Sequence, residues 1–399
     1  MKYLIILGDG MADYKCPQLG GLTPLQSARK PNLDKLAFTG TLGLVDTIPK
    51  GMPPGSDVAN LSVLGYDPAA YYTGRAPLEA VSMGVELGPA DVAFRCNLVT
   101  LSDDPGYENK TMVDYSSGEI SSEKSGILIR DWNNFFKRDE MRFYPGVSYR
   151  HLMVWRGGPA DTVLTPPHDI SGKNVGDHLP AGNGGQALRR VMKESNEFLA
   201  AHPLNKSGEL ARPANSVWFW GQGKTPRLTK FKDLYGVSGT VISAVDLIKG
   251  IGLSAGMESI DVEGATGNIH TNFEGKAAAA LDAFRKGAEL VYIHIEAPDE
   301  AGHQGLTETK VRAIEEIDRR VLGPLLEKMP EFGDYKVMVL PDHPTPLSVM
   351  THTSDPVPFV IFDSRTPRLN PGAVYTEEAA TGGLFVEKGH ELMRIFIEI

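Results

Sequence analysis

Several short, predominantly apolar runs punctuate the chain, and each ends abruptly in a turn: Tyr3 to Leu7, Ser216 to Gly221, Leu290 to Ile295, Val337 to Leu340 and Val357 to Phe362. Continuous apolarity, rather than strict alternation, is what a strand buried on both faces shows, as in a parallel sheet covered by helices. Helical periodicity fills the intervals. Pro31 opens a helix through Ala37 with Gly40 as its stop, and Val58, Leu61 and Leu64 share one face after Ser56 and Asp57. Gln186 to Ala201, Phe231 to Tyr235, Ala244 to Lys249 and Phe273 to Lys286 read as further helices. Leu306 to Met329 predicts a long one, with Val311, Ile314, Ile317, Val321 and Leu325 on a single side. Strand and helix in alternation define an α/β fold with a mostly parallel sheet flanked by helices.

From Asp91 the pattern changes. Short alternating runs (Val92 to Leu101, Thr111 to Tyr115, Met141 to Tyr144, His151 to Trp155) alternate with turns, and Glu123 to Phe136 fits an amphipathic helix. The expected organisation is therefore a discontinuous core domain, residues 1–90 and 186–399, with residues 91–185 inserted as an α+β module.

Composition narrows the partners. A chain of 399 residues with 41% hydrophobic and 23% charged residues has room for a sizeable core, and 43 glycines with 28 prolines indicate many shaped loops. The formal charge of −10 excludes a nucleic acid or an anionic membrane surface as the expected partner, because both call for a basic face. A small anionic substrate still fits where metal ions reverse the local field. Two cysteines, Cys16 and Cys96, are too few for a disulfide framework, which makes a cytoplasmic location the default. The apolar run at the amino terminus is too short for a signal sequence, and no stretch approaches the roughly 20 apolar residues that span a bilayer.

The candidate chemistry lies where the apolar runs stop. Asp9 follows the first, Asp342 and His343 follow Leu340, and His352 sits on the limb returning to Val357. Asp299 and His303 follow Ile295 at the i, i+4 spacing that puts two side chains on one face of a helical turn. Ser56 stands at a helix start, where backbone N–H groups and the positive dipole end face whatever its oxygen attacks. Each of these has an ordinary reading too: a turn aspartate, a helix cap, a satisfied structural histidine. Seven of them at the same edge of one sheet favour a common site. Mixed oxygen and nitrogen donors suit two divalent ions, and the hard carboxylate character favours manganese, with zinc, magnesium and cobalt as alternatives. Such a pair can clamp both oxygens of an in-line phosphoryl displacement and acidify the serine. Arg75, Arg150 and Lys224 are candidate contacts for carboxylate or phosphate, with His151 or Asp169 as proton carriers. His168 and Asp169 follow the Pro166-Pro167 return. The loop Gly223-Lys224-Thr225 lacks the earlier glycine of a phosphate-binding loop.

The motifs GDG at Gly8, GSD at Gly55, PDEAGH at Pro298, PDH at Pro341 and THTSDPVPF at Thr351, in that order, resemble those of the archaeal-type, cofactor-independent phosphoglycerate mutases of the alkaline phosphatase superfamily. The resemblance implies an alkaline-phosphatase-like core with an inserted cap and no need of 2,3-bisphosphoglycerate. It implies one metal held by Asp299, His303 and His352, a second held by Asp9, Asp342, His343 and Ser56, and Ser56 as the nucleophile. The implied activity is interconversion of 3- and 2-phosphoglycerate under a closed cap that keeps water from the phosphoserine. One departure stands out: many mutases have histidine shortly after the serine, whereas this chain has Asn60. Similar bacterial sequences suggest a homoserine kinase-like phosphotransferase as the alternative, and a non-catalytic metal-binding protein is the third reading. The oligomeric expectation is a monomer or small homo-oligomer.

Overall fold

The computed structural model describes residues 1–398. Among them the strands are, in chain order, β1 (Lys2–Gly8), β2 (Thr41–Val45), β3 (Asp91–Leu101), β4 (Met112–Asp114), β5 (Met141–Tyr144), β6 (Arg150–Arg156) and β7 (Ser216–Gly223), followed by β8 (Gly239–Ile242), β9 (Glu258–Ile260), β10 (Leu290–Ile295), β11 (Tyr335–Leu340), β12 (Val357–Asp363) and β13 (Leu384–Val386). They build two sheets, one in each of two compact units: Met1–Tyr72 with Arg227–Ile399, and Thr73–Pro226.

The larger unit carries an eight-stranded sheet in the order β13-β2-β12-β11-β1-β10-β8-β9. Only β12 runs against the others, so the mostly parallel sheet expected from the apolar runs is present. β1 lies between β11 and β10 in nearly level register, with Leu7 opposite both Leu340 and His294. Level parallel strands end together, so the residues following β11, β1 and β10 emerge side by side at one edge. On one face, Leu4 and Ile6 of β1 and Val291, Ile293 and Ile295 of β10 pack with Leu33, Leu36, Phe273, Ala280 and Ile314 from the covering helices. Each such wholly buried aliphatic side chain is worth roughly 1.5–3 kcal/mol. Tyr292 and His294, one step out of phase, face the other side. The helix Ser56–Val63 is on that side, and every residue in it after Ser56 is buried.

The smaller unit is an antiparallel sheet, β4-β3-β6-β5 with β7 added against β3. The helices Ser122–Phe136 and Gly185–Ala201 close its core around Trp132, Phe143, Trp218 and Phe219. The α+β character matches the expectation for the inserted segment, but the division of the chain falls at 72/73 and 226/227 instead of 90/91 and 185/186. The physical reason is in the pairing: β7 is hydrogen-bonded along β3, and Leu188, Val191 and Met192 fill the same core as Trp132.

The long helix expected over Leu306 to Met329 is interrupted. Thr307–Glu316 is α-helical, Ile317–Leu322 widens into a π-helical turn, and Gly323–Lys328 resumes. Pro324 has no N–H to give the preceding turn, and a widened turn ahead of it accommodates the missing bond. Asp318 on this turn is buried, accepting from the backbone N–H groups of Asn32 and Leu33 and so pinning the helix Pro31–Thr39. No described helix is long and apolar enough to cross a membrane.

One buried cation ties the loops at the site edge together. Lys310 is fully buried, and its Nζ donates to Asp13 Oδ2 at 2.6 Å, Thr345 O at 2.7 Å and Ala12 O at 3.3 Å. The Asp13 carboxylate in turn accepts from Leu347 N. Removing the ammonium strands a buried carboxylate and two carbonyls, so Lys310→Met should cost about 3–5 kcal/mol. The measurement is urea unfolding, with an earlier transition expected; parental stability would show that the two loops hold each other without the lysine.

Candidate active site

Asp9, Asp299 and Asp342 leave the ends of β1, β10 and β11 as the apolar runs predict, and the structure gathers all seven sequence-derived candidates of the larger unit. Two triads could each hold a cation: Asp9, Asp342 and His343, and Asp299, His343 and His352. His343 belongs to both. His303, expected beside Asp299 and His352, adjoins the second triad, its Nε2 lying 3.2 Å from Asp299 Oδ2 and 2.9 Å from His352 Nε2.

Hydrogen bonding fixes which atoms are left over. Thr345 Oγ1 gives its proton to Asp299 Oδ1, so at 3.3 Å it accepts from Nδ1 of His343. Burial holds the His343 ring below its ordinary pKa, in the neutral form. Its Nε2 is then a bare lone pair, 3.6 Å from Asp9 Oδ1, 3.4 Å from Asp342 Oδ2 and 3.1 Å from the Ser56 hydroxyl. His303 also donates through Nδ1, to Met350 O at 3.1 Å, which turns its Nε2 toward the His352 nitrogen and Asp299. Acceptor atoms thus converge around His343 Nε2, an arrangement that calls for a cation.

The charges agree. Burial raises Asp9 well above the usual carboxylate range, and the Asp342 and Asp299 carboxylates push it further. Asp9 Oδ1 is buried with no hydrogen-bond partner. Around His303, burial opposes a positive charge, but the Asp299 carboxylate outweighs it and lifts the ring to about 9. Asp299 itself is drawn well below its usual range by His303 and His352, against the effect of burial. Both halves of the cluster therefore favour added positive charge, and a mixed carboxylate and imidazole donor set is chemically fit for divalent metal.

Ser56 is not the cap of its helix. Gly55 takes that position, and Ser56 is the first helical residue, half-buried, with its hydroxyl turned to His343. The capping account of the serine is thereby removed. Asn60, one turn on, donates through Nδ2 to Ser56 O at 2.8 Å and to Asp342 Oδ2 at 2.9 Å. Asp342 Oδ1 accepts from Gly10 N and His343 N. Gly10 has φ of +61°, and a Cβ there would lie 2.5 Å from Thr345 Oγ1 and 2.6 Å from Asp299 Oδ1. Only glycine lets this turn come so close.

The remaining candidates lie in the smaller unit. Arg75 pairs with Glu79 at 3.0 Å, and Arg150 stands exposed with its guanidinium over the Tyr149 ring. A third arginine, Arg95, escaped the sequence reading. It is buried, pairs with Glu79 at 2.9 Å and lies 4.2 Å from the Trp220 ring centroid. Burial lowers it to about 10; Glu79 opposes that, while Arg75 and Arg150 add to it. Three guanidinium groups around one carboxylate leave this cluster positive. A visible signal existed, since Arg95 and Asn97 sit two apart in a strand that is otherwise mostly apolar. His151 is buried, burial lowers its pKa to about 3, and its Nδ1 accepts from Gly146 N while its Nε2 has no hydrogen-bond partner. Asp169 is exposed, 3.7 Å from His168, and Lys224 is exposed on its loop.

Comparison with known proteins follows the geometry. Residues 37–205 match the family model described as 2,3-bisphosphoglycerate-independent phosphoglycerate mutase. The chain is 53% identical to a probable 2,3-bisphosphoglycerate-independent phosphoglycerate mutase of Geobacter sulfurreducens and 49% identical to the mutase of Methanosarcina acetivorans, covering all of both chains in each case. Among solved structures, a protein of Pyrococcus horikoshii is 30% identical with a TM-score of 0.82, covering 100% of this chain and 96% of that one. The cofactor-independent phosphoglycerate mutase of Thermoplasma acidophilum is 26% identical with a TM-score of 0.64, covering 100% of this chain and 99% of that one.

The shared position of His343 gives a test of the two triads. Asp342→Ala and His352→Ala should each lose one equivalent of bound metal, from different sites, as read by metal analysis after dialysis against Mn2+. Two equivalents retained in either variant would contradict the assignment.

Proposed function

The chain belongs to the family of 2,3-bisphosphoglycerate-independent phosphoglycerate mutases, and we propose that it interconverts 3- and 2-phosphoglycerate through a phosphoserine at Ser56, on a site holding two divalent metal ions. The observation that carries this reading is the Ser56 hydroxyl, 3.1 Å from His343 Nε2 at the junction of the two triads. In the proposed assignment Asp299, His303 and His352 hold one ion, and Asp9, Asp342, His343 and Ser56 hold the other. Bound there, the ions would acidify the serine hydroxyl and neutralise the phosphoryl oxygens. Manganese suits the donor set, with zinc, magnesium and cobalt as the alternatives.

Ser56 attacks the phosphorus of 3-phosphoglycerate. The Oγ–P bond forms, the bond from phosphorus to the C3 oxygen breaks, and the serine proton is matched by one taken up at that oxygen. Glycerate then turns over and its C2 hydroxyl attacks the phosphoserine, which restores Ser56. Placement at the first turn of a helix helps both steps, because the positive end of the helix dipole favours phosphate. Asn60 holds the carbonyl of Ser56 and the carboxylate of Asp342 in one grip, which keeps the nucleophile at a fixed place beside its metal ligands. Within the smaller unit, Arg75 and Arg150 offer guanidinium groups to an anion, and Arg95 with Glu79 holds Arg75 in place. Lys224 remains a candidate point charge and Asp169 a candidate proton carrier. This reading places the enzyme in the cytoplasm and in glycolysis and gluconeogenesis.

Three of the four relatives reported above are named mutases, and no feature of the site favours homoserine, so the kinase alternative is set aside. The test is turnover of 3-phosphoglycerate with Mn2+ and no 2,3-bisphosphoglycerate. Ser56→Ala should lower kcat by on the order of 10³-fold or more and abolish the +80 Da adduct at residue 56 by mass spectrometry. Turnover persisting at the parental rate in Ser56→Ala would overturn the phosphoserine route.

A further inference from the structure

Strand β10 is buried along its whole length, yet it carries two polar side chains, Tyr292 and His294, on the same face. Neither is needed to fill that face with hydrogen-bonding groups. An apolar strand with phenylalanine and leucine at these positions would satisfy the pattern of β1 and β11, and buried polar atoms without partners are costly. The question is what their polar atoms hold.

Tyr292 OH reaches Asn60 Oδ1 at 2.5 Å. A carboxamide oxygen can only accept, so the hydroxyl donates, and the amide is thereby oriented with Nδ2 toward Asp342 Oδ2 and Ser56 O. Asn60 is fully buried, as are Tyr292 and Asp342. The chain Tyr292, Asn60, Asp342 is thus a run of donors that fixes one carboxylate and, through the same amide, the first turn carrying Ser56.

His294 does the equivalent for Asp9. Its Nε2 is 3.0 Å from Asp9 Oδ2, and its Nδ1 is 3.2 Å from Ser243 Oγ. Ser243 Oγ accepts from Val245 N at 3.0 Å and keeps its own proton to give to Nδ1, while Nε2, facing a carboxylate oxygen, carries the ring's N–H. Nδ1 therefore accepts, and Nε2–H donates to Asp9. The bond occupies one oxygen of Asp9 and leaves Oδ1, the buried oxygen without a hydrogen-bond partner, for the cation site shared with Asp342 and His343.

We propose that Tyr292 and His294 are positioning residues for one of the two metal sites, fixing Asp342 and Asp9 respectively from a single strand. The inference rests on the metal-binding reading above. β10 then has three tasks: it supports Asp299 at its end, it orients Asp9 from position 294, and through Asn60 it aligns Asp342 with Ser56 from position 292. Groups that orient metal-bound carboxylates in this way are typically worth about 10–100-fold in metal affinity.

The experiment is calorimetric titration of chelator-stripped enzyme with MnCl2. Tyr292→Phe and His294→Leu should each weaken one of the two Mn2+ equivalents by about 10–100-fold and leave the other at parental affinity, since neither residue touches Asp299, His303 or His352. A general loss of structure would weaken both equivalents together. His294→Gln, which can place an N–H donor near the position of Nε2–H, should recover most of the lost affinity. Tyr292→Phe removes one oxygen and keeps the ring, so the test survives if His294→Leu fails to fold. Parental affinity for both equivalents in Tyr292→Phe and His294→Leu would overturn the inference, as would an equal loss in His294→Gln and His294→Leu. Absence of Mn2+ binding by the parent enzyme would instead remove the metal reading on which it rests.

Discussion

Three carboxylates share one buried edge of the sheet, and most of the surrounding structure follows from making that tolerable. Asp9, Asp299 and Asp342 follow three adjacent parallel strands, and the sheet gives them no means of moving apart. Burial and mutual repulsion act in the same direction on Asp9, raising its pKa well above the carboxylate range. Donors from the chain relieve part of this: Gly10 N and His343 N on Asp342, Thr345 on Asp299, His294 on Asp9. The oxygens and ring nitrogens they do not reach are those that converge. The protein has thus arranged its donors at the periphery of the cluster and its acceptors at the centre, which is the electrostatic shape of a cation site.

That arrangement depends on loops held at close quarters. Gly10 permits an approach that a side chain would block, and Lys310 gathers the carbonyls of Ala12 and Thr345 with the carboxylate of Asp13. Thr345 is consequently fixed from its backbone while its hydroxyl links Asp299 to His343. The anchoring lysine lies on the helix Thr307–Glu316, far along the chain from both loops. The continuation of that helix through a widened turn lets Asp318 seize the start of the helix Pro31–Thr39. Packing of the outer layer and geometry of the site are therefore the same problem solved by the same residues.

The sequence disclosed the site where a charged residue broke an apolar run. Asp9, Asp299 and Asp342 were legible for that reason, and the i, i+4 spacing of Asp299 and His303 correctly put both on one helical face. Ser56 was legible only as one of two things, because a serine before a helical pattern is usually its cap; the position of Gly55 decides the matter, and that is a backbone angle no residue type reveals. Tyr292 and His294 were missed because both occur among strand residues, and a six-residue run with four aliphatic members reads as apolar. The extent of the inserted unit was misjudged for another reason. Amphipathic periodicity announces that Gly185–Ala201 has a buried face but not which sheet it covers, and a strand such as β7 carries no mark of its partner. Arg95 had the same fate as Tyr292, a polar residue concealed by the strand around it.

The segment from β11 to β12 gains its importance from a single atom. His343 is committed through Nδ1 to Thr345, so Nε2 is the only ring nitrogen available to Ser56, Asp9 and Asp342. Its ring also lies 4.0 Å from that of His352, which belongs to the Asp299 side of the cluster. A displacement of this loop would therefore disturb both triads and the serine at once, whereas a displacement of β1 would disturb one. Asn60 supplies the complementary restraint from the serine side, since its amide joins Ser56 to Asp342, the neighbour of His343 in the chain. Asn60 thus has a definite part: it couples the helix that begins at Ser56 to the loop of Asp342 and His343, so the serine and the lone pairs it faces are held as one body.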